Sequence, residues 1–148
     1  MKYINSINML LSDLGKYIDC KDLTLNNNGS TFVFLSDMLF SFILSDEDEN
    51  YQRELICIIH IAPLPKRNDE ISRNLLIQLL QGNHAWSNTG GGILGFDDQT
   101  GFICLSLRLN PLQQTTEIFS AKIARLYQIA SEYKSRLAVE NSTAVTHY

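Results

Sequence analysis

Apolar residues recur at spacings of three and four from the start of the chain. Ile4, Ile7, Leu10, Leu11, Leu14 and Ile18 fall on one stripe, the mark of an amphipathic helix over residues 3–18. Asn26-Asn27-Asn28-Gly29-Ser30 then supplies turn-forming residues. The period changes to two. Residues 31–35 and 38–44 are rich in Phe, Val and Ile, so they read as strands joined by a two-residue turn at Ser36-Asp37. Alternation puts Phe32 and Phe34 on one face of the first strand. It puts Met38, Phe40, Phe42 and Leu44 on one face of the second, with Ser41 opposite.

An acidic loop covers residues 45–50, and a third strand covers 53–62. This strand is apolar on both sides: Leu55, Cys57, Ile59 and Ile61 point one way, Ile56 and Ile58 the other. Such a strand belongs in the middle of a sheet. Pro63 and Pro65 end it. Asn68 or Asp69 can cap a helix over 70–83, with Ile71, Leu75, Leu76, Leu79 and Leu80 apolar and Gly82 at its C-terminal end. Strands over 93–96 and 102–109 flank the turn Asp97-Asp98-Gln99-Thr100-Gly101. In the second of them Ile103, Leu105, Leu107 and Leu109 share a face. Thr115 or Thr116 caps a last helix whose core stripe is Phe119, Ile123, Leu126, Ala130, Tyr133 and Leu137. Residues 140–148 are polar and without period, and fraying is expected there. The order is helix, three strands, helix, two strands, helix. The expected fold is α+β, a twisted antiparallel sheet with helices packed on it, as one domain over 1–138 followed by a polar tail over 139–148.

Composition narrows the function. A chain of 148 residues with 45% apolar content can build a core without staples. Its net charge of −4 disfavours nucleic acid, which requires a basic surface. Cys20, Cys57 and Cys104 form no C-x-x-C pair, which favours buried free thiols over a disulfide or metal role. The first residues lack a signal peptide's apolar run, and no segment is long enough for a membrane span. Cytoplasmic location without membrane insertion is expected.

The patterns that resemble chemistry read better as structure. Gly90, Gly92 and Gly95 satisfy G-x-G-x-x-G, but a helix precedes them and a strand follows, the reverse of a dinucleotide site. A flexible entry to the following strand, with room for a close backbone approach, explains them better. Asp46-x-Asp48-x-Asn50 begins like a calcium loop, but Tyr51 and Cys57 stand where Gly and Glu are needed. Asp97-Asp98 suits a hairpin turn more than acid–base work. His60, His84 and His147 lack metal spacing. His60 reads as a hydrogen-bonded core residue, on the strand face opposite Cys57, so the two form no nucleophile pair. Trp86 fits core or dimer packing and a ligand contact equally.

Gly92-Ile93-Leu94-Gly95-Phe96-Asp97, Thr100-Gly101-Phe102-Ile103-Cys104-Leu105, Leu109-Asn110-Pro111-Leu112 and the helix from Phe119 to Leu137 together resemble the Tir-chaperone (CesT-like) family of type III secretion chaperones. Tyr133 stands where many members have Trp. The element order extends the resemblance over about residues 2–138. It implies a non-enzymatic, cofactor-free cytoplasmic homodimer that binds the N-terminal segment of a secreted effector in extended form and keeps it export-competent. It also allows docking on the export ATPase. It places effector contacts at Ile4, Ile7, Leu11, Phe32, Phe34, Phe40 and Phe42. It places the dimer interface at Leu76, Leu80, Trp86, Ile93 and Leu94. Capture would use an exposed edge strand and apolar grooves. A peptide- or protein-binding regulator of the same fold outside secretion is the alternative.

Overall fold

The computed structural model describes residues 2–45, 53–65, 70–86 and 88–145. The calcium-like run at 46–50 and the caps expected at Asn68 or Asp69 lie outside the described residues. The first apolar stripe forms α1 (Lys2–Tyr17), which buries Ile7, Leu10, Leu11 and Leu14. The Asn8 side chain accepts a 2.9 Å hydrogen bond from the Leu25 amide and ties the following loop to the helix. β1 (Ser30–Leu35) and β2 (Met38–Leu44) pair antiparallel, with Leu35 opposite Met38. Ser36 and Asp37 are therefore the whole turn. Two-residue hairpins need left-handed backbone, and Ser36 adopts φ 54°.

β3 (Leu55–Pro63), α2 (Glu70–Asn83), β4 (Ile93–Asp97), β5 (Phe102–Leu109) and α3 (Thr116–Val145) complete the chain, with short 3-10 turns at His84–Trp86 and Pro111–Gln113. The α+β reading and its element order hold. The strands form one antiparallel sheet in the order β1-β2-β3-β5-β4, so β3 is central, as its two apolar sides require. β3 starts two residues later than expected. α3 continues past Leu137 to Val145: a helix propagates by successive backbone hydrogen bonds, and no Gly or Pro follows to stop it.

The core lies on one side of the sheet. Phe40, Phe42, Cys57, Ile59 and Leu105 are fully buried there against Ile7 and Leu11 of α1 and Phe119, Ile123 and Leu126 of α3. The Phe42 and Phe119 rings lie 6.3 Å apart. No described helix covers the other side. One row across it, set by the register, runs Phe32, Ser41, Ile58, Ser106, Ile93. The next holds Phe34, Leu39, His60 and Cys104. The second apolar side of β3 is thus an open sheet face whose middle is half-buried by its neighbours. His60 stands on this open face and not in the core, contrary to the sequence reading.

Candidate functional site

The two edges of the sheet are built differently. With a two-residue turn after Leu35, the backbone groups of Thr31, Val33 and Leu35 point at β2. The Leu44 amide bonding the Gly29 carbonyl at 2.8 Å continues that phase. The groups of Phe32 and Phe34 then point outward, where no described residue meets them. Both side chains are 65% exposed, and their rings pack edge to face at 6.3 Å.

An apolar cleft of about 360 Å³ opens beside this edge, on the helix side. Its walls are Leu14 and Tyr17 from the end of α1, Ile18 just after it, Leu35 from β1, and Ile123 and Tyr127 from α3. One end is fixed: Ser36 Oγ and Tyr127 Oη share a 2.7 Å hydrogen bond, and Lys134 Nζ donates to the Asp37 carbonyl at 3.1 Å. A strand added to β1 would lay alternate side chains into this cleft and against Phe32 and Phe34.

At the opposite edge, the Asn83 side chain occupies the outward backbone groups of Leu94. Its Nδ2 donates to the Leu94 carbonyl at 2.8 Å, and its Oδ1 accepts from the Leu94 amide at 2.7 Å. That edge is capped, a usual defence against unwanted pairing. Around it lies a broad apolar surface: Leu76, Leu80, Trp86, Ile93 and Phe96 are all exposed, Leu80 to 69%. Between α2 and β4 a cleft of about 310 Å³ is lined by Leu64, Leu76, Leu79, Leu80 and Phe96. Exposed patches of this kind mark interaction surfaces.

These positions redraw the expected partner contacts. Phe32 and Phe34 are exposed at the open edge, and Ile4 is half-buried against the core. Ile7, Leu11, Phe40 and Phe42 are 0% exposed and belong to the core. The reason is register: Phe40 lies opposite Val33 and Phe42 opposite Thr31, so the aromatics of β2 face the helices while those of β1 face away. Pairing Leu35 with Met38 across the expected turn would have separated the two aromatic pairs from sequence alone. Of the expected dimer residues, Leu76, Leu80, Trp86 and Ile93 are exposed, whereas Leu94 is 6% exposed and packs in the core beneath α2. Tyr17, Ile18, Leu35, Tyr127, Phe96 and the Asn83 cap were missed, because each depends on which elements meet.

The polar groups of the open face do not make a catalytic centre. His60 Nε2 and Asp97 Oδ2 lie 3.1 Å apart. Asp97 also accepts from Thr100 Oγ1 at 2.9 Å and from the Gln99 amide at 3.0 Å, as a turn aspartate does. The His60 contact first, then those from Thr100 and Gln99, hold the Asp97 carboxyl below its ordinary range. Cys104 stands opposite His60 in the register. Burial, aided by the charge of Asp97, pushes its thiol up to about 11, so it stays protonated and is no nucleophile near neutral pH. Burial raises the Cys57 thiol as well, and Cys57 lies on the core side, away from His60. Two glycines of the run are tightly packed: a Cβ on Gly92 would sit 2.8 Å from the Ser106 carbonyl oxygen and one on Gly90 2.6 Å from Ile129 Cδ1, whereas Gly95 has open space around it.

The model of the Tir chaperone protein (CesT) family matches residues 9–134. The chain belongs to this family. Among solved structures, a chain of the ExsC–ExsE complex matches the CesT-family chain with a TM-score of 0.72 at 23% identity, covering 89% of this chain and 93% of that one. A chain of the HopA1–SchA chaperone–effector complex matches with a TM-score of 0.68 at 14% identity, covering 91% and 98%. A chain of the heterodimeric ExoU–SpcU complex from the type III secretion system of Pseudomonas aeruginosa gives 0.59 at 18%, covering 90% and 96%. At these identities the likeness establishes a shared fold. Curated protein sequences give no match. No described helix of this CesT-family protein is long and apolar enough to cross a membrane.

Proposed function

We propose that this protein is a type III secretion chaperone. It binds the N-terminal chaperone-binding segment of a secreted effector in extended form and keeps that segment soluble and export-competent. It acts in the cytoplasm, as a homodimer and without catalysis. The supporting observation is the asymmetry of the sheet edges. β1 offers backbone groups that no described residue pairs, beside an apolar cleft, whereas β4 is capped by Asn83 and surrounded by exposed apolar side chains. Strand addition therefore suits β1, and side-chain packing of a second copy suits the surface of α2 and β4. Ordering a disordered segment is costly, so capture extends from the edge over the open sheet face.

The test is a tagged pull-down from the native bacterium, with mass spectrometry and light scattering on the complex. Two copies holding one secreted protein by its N-terminal segment are expected. A partner that is never secreted would favour a regulator of the same fold. Phe34→Pro then probes the edge itself. It removes an outward amide while leaving the bonds to β2 intact, a change edge strands tolerate. Phe34→Ala removes the ring alone. The proline variant should bind at least tenfold more weakly than the alanine variant. Equal affinities would exclude strand addition at β1.

A further inference from the structure

A second, polar cleft lies on the other flank of α3 from the apolar one. Arg125, Gln128, Glu132 and Arg136 line it from the helix, and Asn88 and Gly90 from the loop before β4; its volume is about 300 Å³. The spacing of three, four and four residues sets these helix side chains on one stripe. The loop is held close against the helix. Tyr133 Oη donates to the Asn88 carbonyl at 3.3 Å. A Cβ on Gly90 would meet Ile129 Cδ1 at 2.6 Å and Arg125 Nε at 3.0 Å. The cleft is therefore a fixed wall with a charged rim.

Its two arginines outnumber its one carboxylate, that of Glu132. Arg108 has a bidentate partner in Glu54, and Lys134 has Asp37 at 4.0 Å. Neither Arg125 nor Arg136 has a carboxylate within pairing distance among the described residues. Arg136 stacks on the Tyr133 ring at 5.5 Å, which orients its guanidinium and leaves its N–H groups available. On a chain of net charge −4, two guanidiniums that no described carboxylate pairs, one of them oriented by an aromatic ring, form a local surface of opposite sign to the whole. The two arginines are eleven positions apart, about 16 Å along the helix. An extended peptide covers that distance in about five residues, and the next even step, six residues or about 20 Å, turns both end side chains to the same face.

We propose that this cleft binds an acidic peptide segment of a partner protein, with two carboxylates six residues apart, on one face of the extended segment, reaching Arg125 and Arg136. Glu132, between them, opposes any further acid at the centre of the segment. The site is separate from the β1 edge, so its failure would leave the effector reading standing.

The probe is the synthetic peptide Ser-Glu-Gly-Ser-Gly-Ser-Gly-Glu-Ser, titrated into the isotope-labelled full chain and followed by amide NMR shifts. Shifts should centre on Asn88, Gly90 and the stripe of α3, and should shrink with added salt. Arg125→Gln and Arg136→Gln should each weaken binding about two- to fivefold, and Glu132→Gln should strengthen it by a similar factor. These exposed, neutral replacements leave the core untouched, and an unchanged melting temperature verifies it. The same peptide with Lys in place of Glu should not bind. Overturning results are no saturable shift at the cleft, equal binding of the Lys peptide, or variants that bind like the parent.

Discussion

Replacing Leu80 by Asp should separate the proposed pair of copies while sparing the single chain. Leu80 is 69% exposed on α2, so most of its side chain is still available for burial. Full burial of a leucine is worth about 1.5–3 kcal/mol, which leaves about 1–2 kcal/mol for the exposed part. A two-fold interface uses each patch twice, giving about 2–4 kcal/mol per dimer. Since about 1.4 kcal/mol is a factor of ten, the dimer dissociation constant should rise about 30- to 700-fold. A carboxylate forced into the apolar surface adds a desolvation cost, so this range is a lower bound. Sedimentation equilibrium over a concentration series measures the constant, and far-UV circular dichroism at low concentration should show an intact fold. Met9→Asp is the control, because Met9 on α1 is 68% exposed and lies outside the apolar surface of α2 and β4. A folded Leu80→Asp variant that dimerises within about threefold of the parent would refute the assignment of this face.

Gly82→Ala should destabilise the fold by about 1–3 kcal/mol, as overpacking does, although alanine is the better helix former. Its Cβ would collide with the Tyr133 hydroxyl, which Tyr133→Phe removes. Urea denaturation should therefore find the double variant more stable than Gly82→Ala alone. Because the Asp97 carboxyl titrates below its ordinary value of 3.8 in the fold, its contribution is complete above about pH 4 and disappears as pH falls through the lowered value. Asp97→Asn should accordingly lose less of its urea midpoint between pH 7 and pH 3 than the parent. In the native protein at pH 8, iodoacetamide should label the half-exposed Cys20 and spare the buried Cys57 and Cys104; mass spectrometry after brief labelling decides it, and early modification of Cys104 would contradict the burial of the β5 thiol.

The local elements were legible because each follows from a period that neighbouring residues impose on themselves. The three- and four-residue stripe of α1, the alternation of β2 and β5, and the two apolar sides of β3 all survive in the folded protein. Resemblance over the glycine-bearing hairpin and last helix reached the family. What sequence alone could not assign was which apolar residues remain in contact with solvent. Phe34 and Phe40 are equally hydrophobic, yet one is 65% exposed and the other fully buried, because the pairing of β1 with β2 turns them to opposite sides. Leu80 and Leu75 share a helix and differ in the same way. Asn83 caps the edge of β4 only because α2 ends beside Leu94, and Arg125 meets Gly90 only because the loop lies on α3. Periodicity is a short-range property of the chain, so sequence by itself determined the elements and their order. Exposure, edge capping and clefts are set by contacts between residues distant in sequence, and only the tertiary structure decided those.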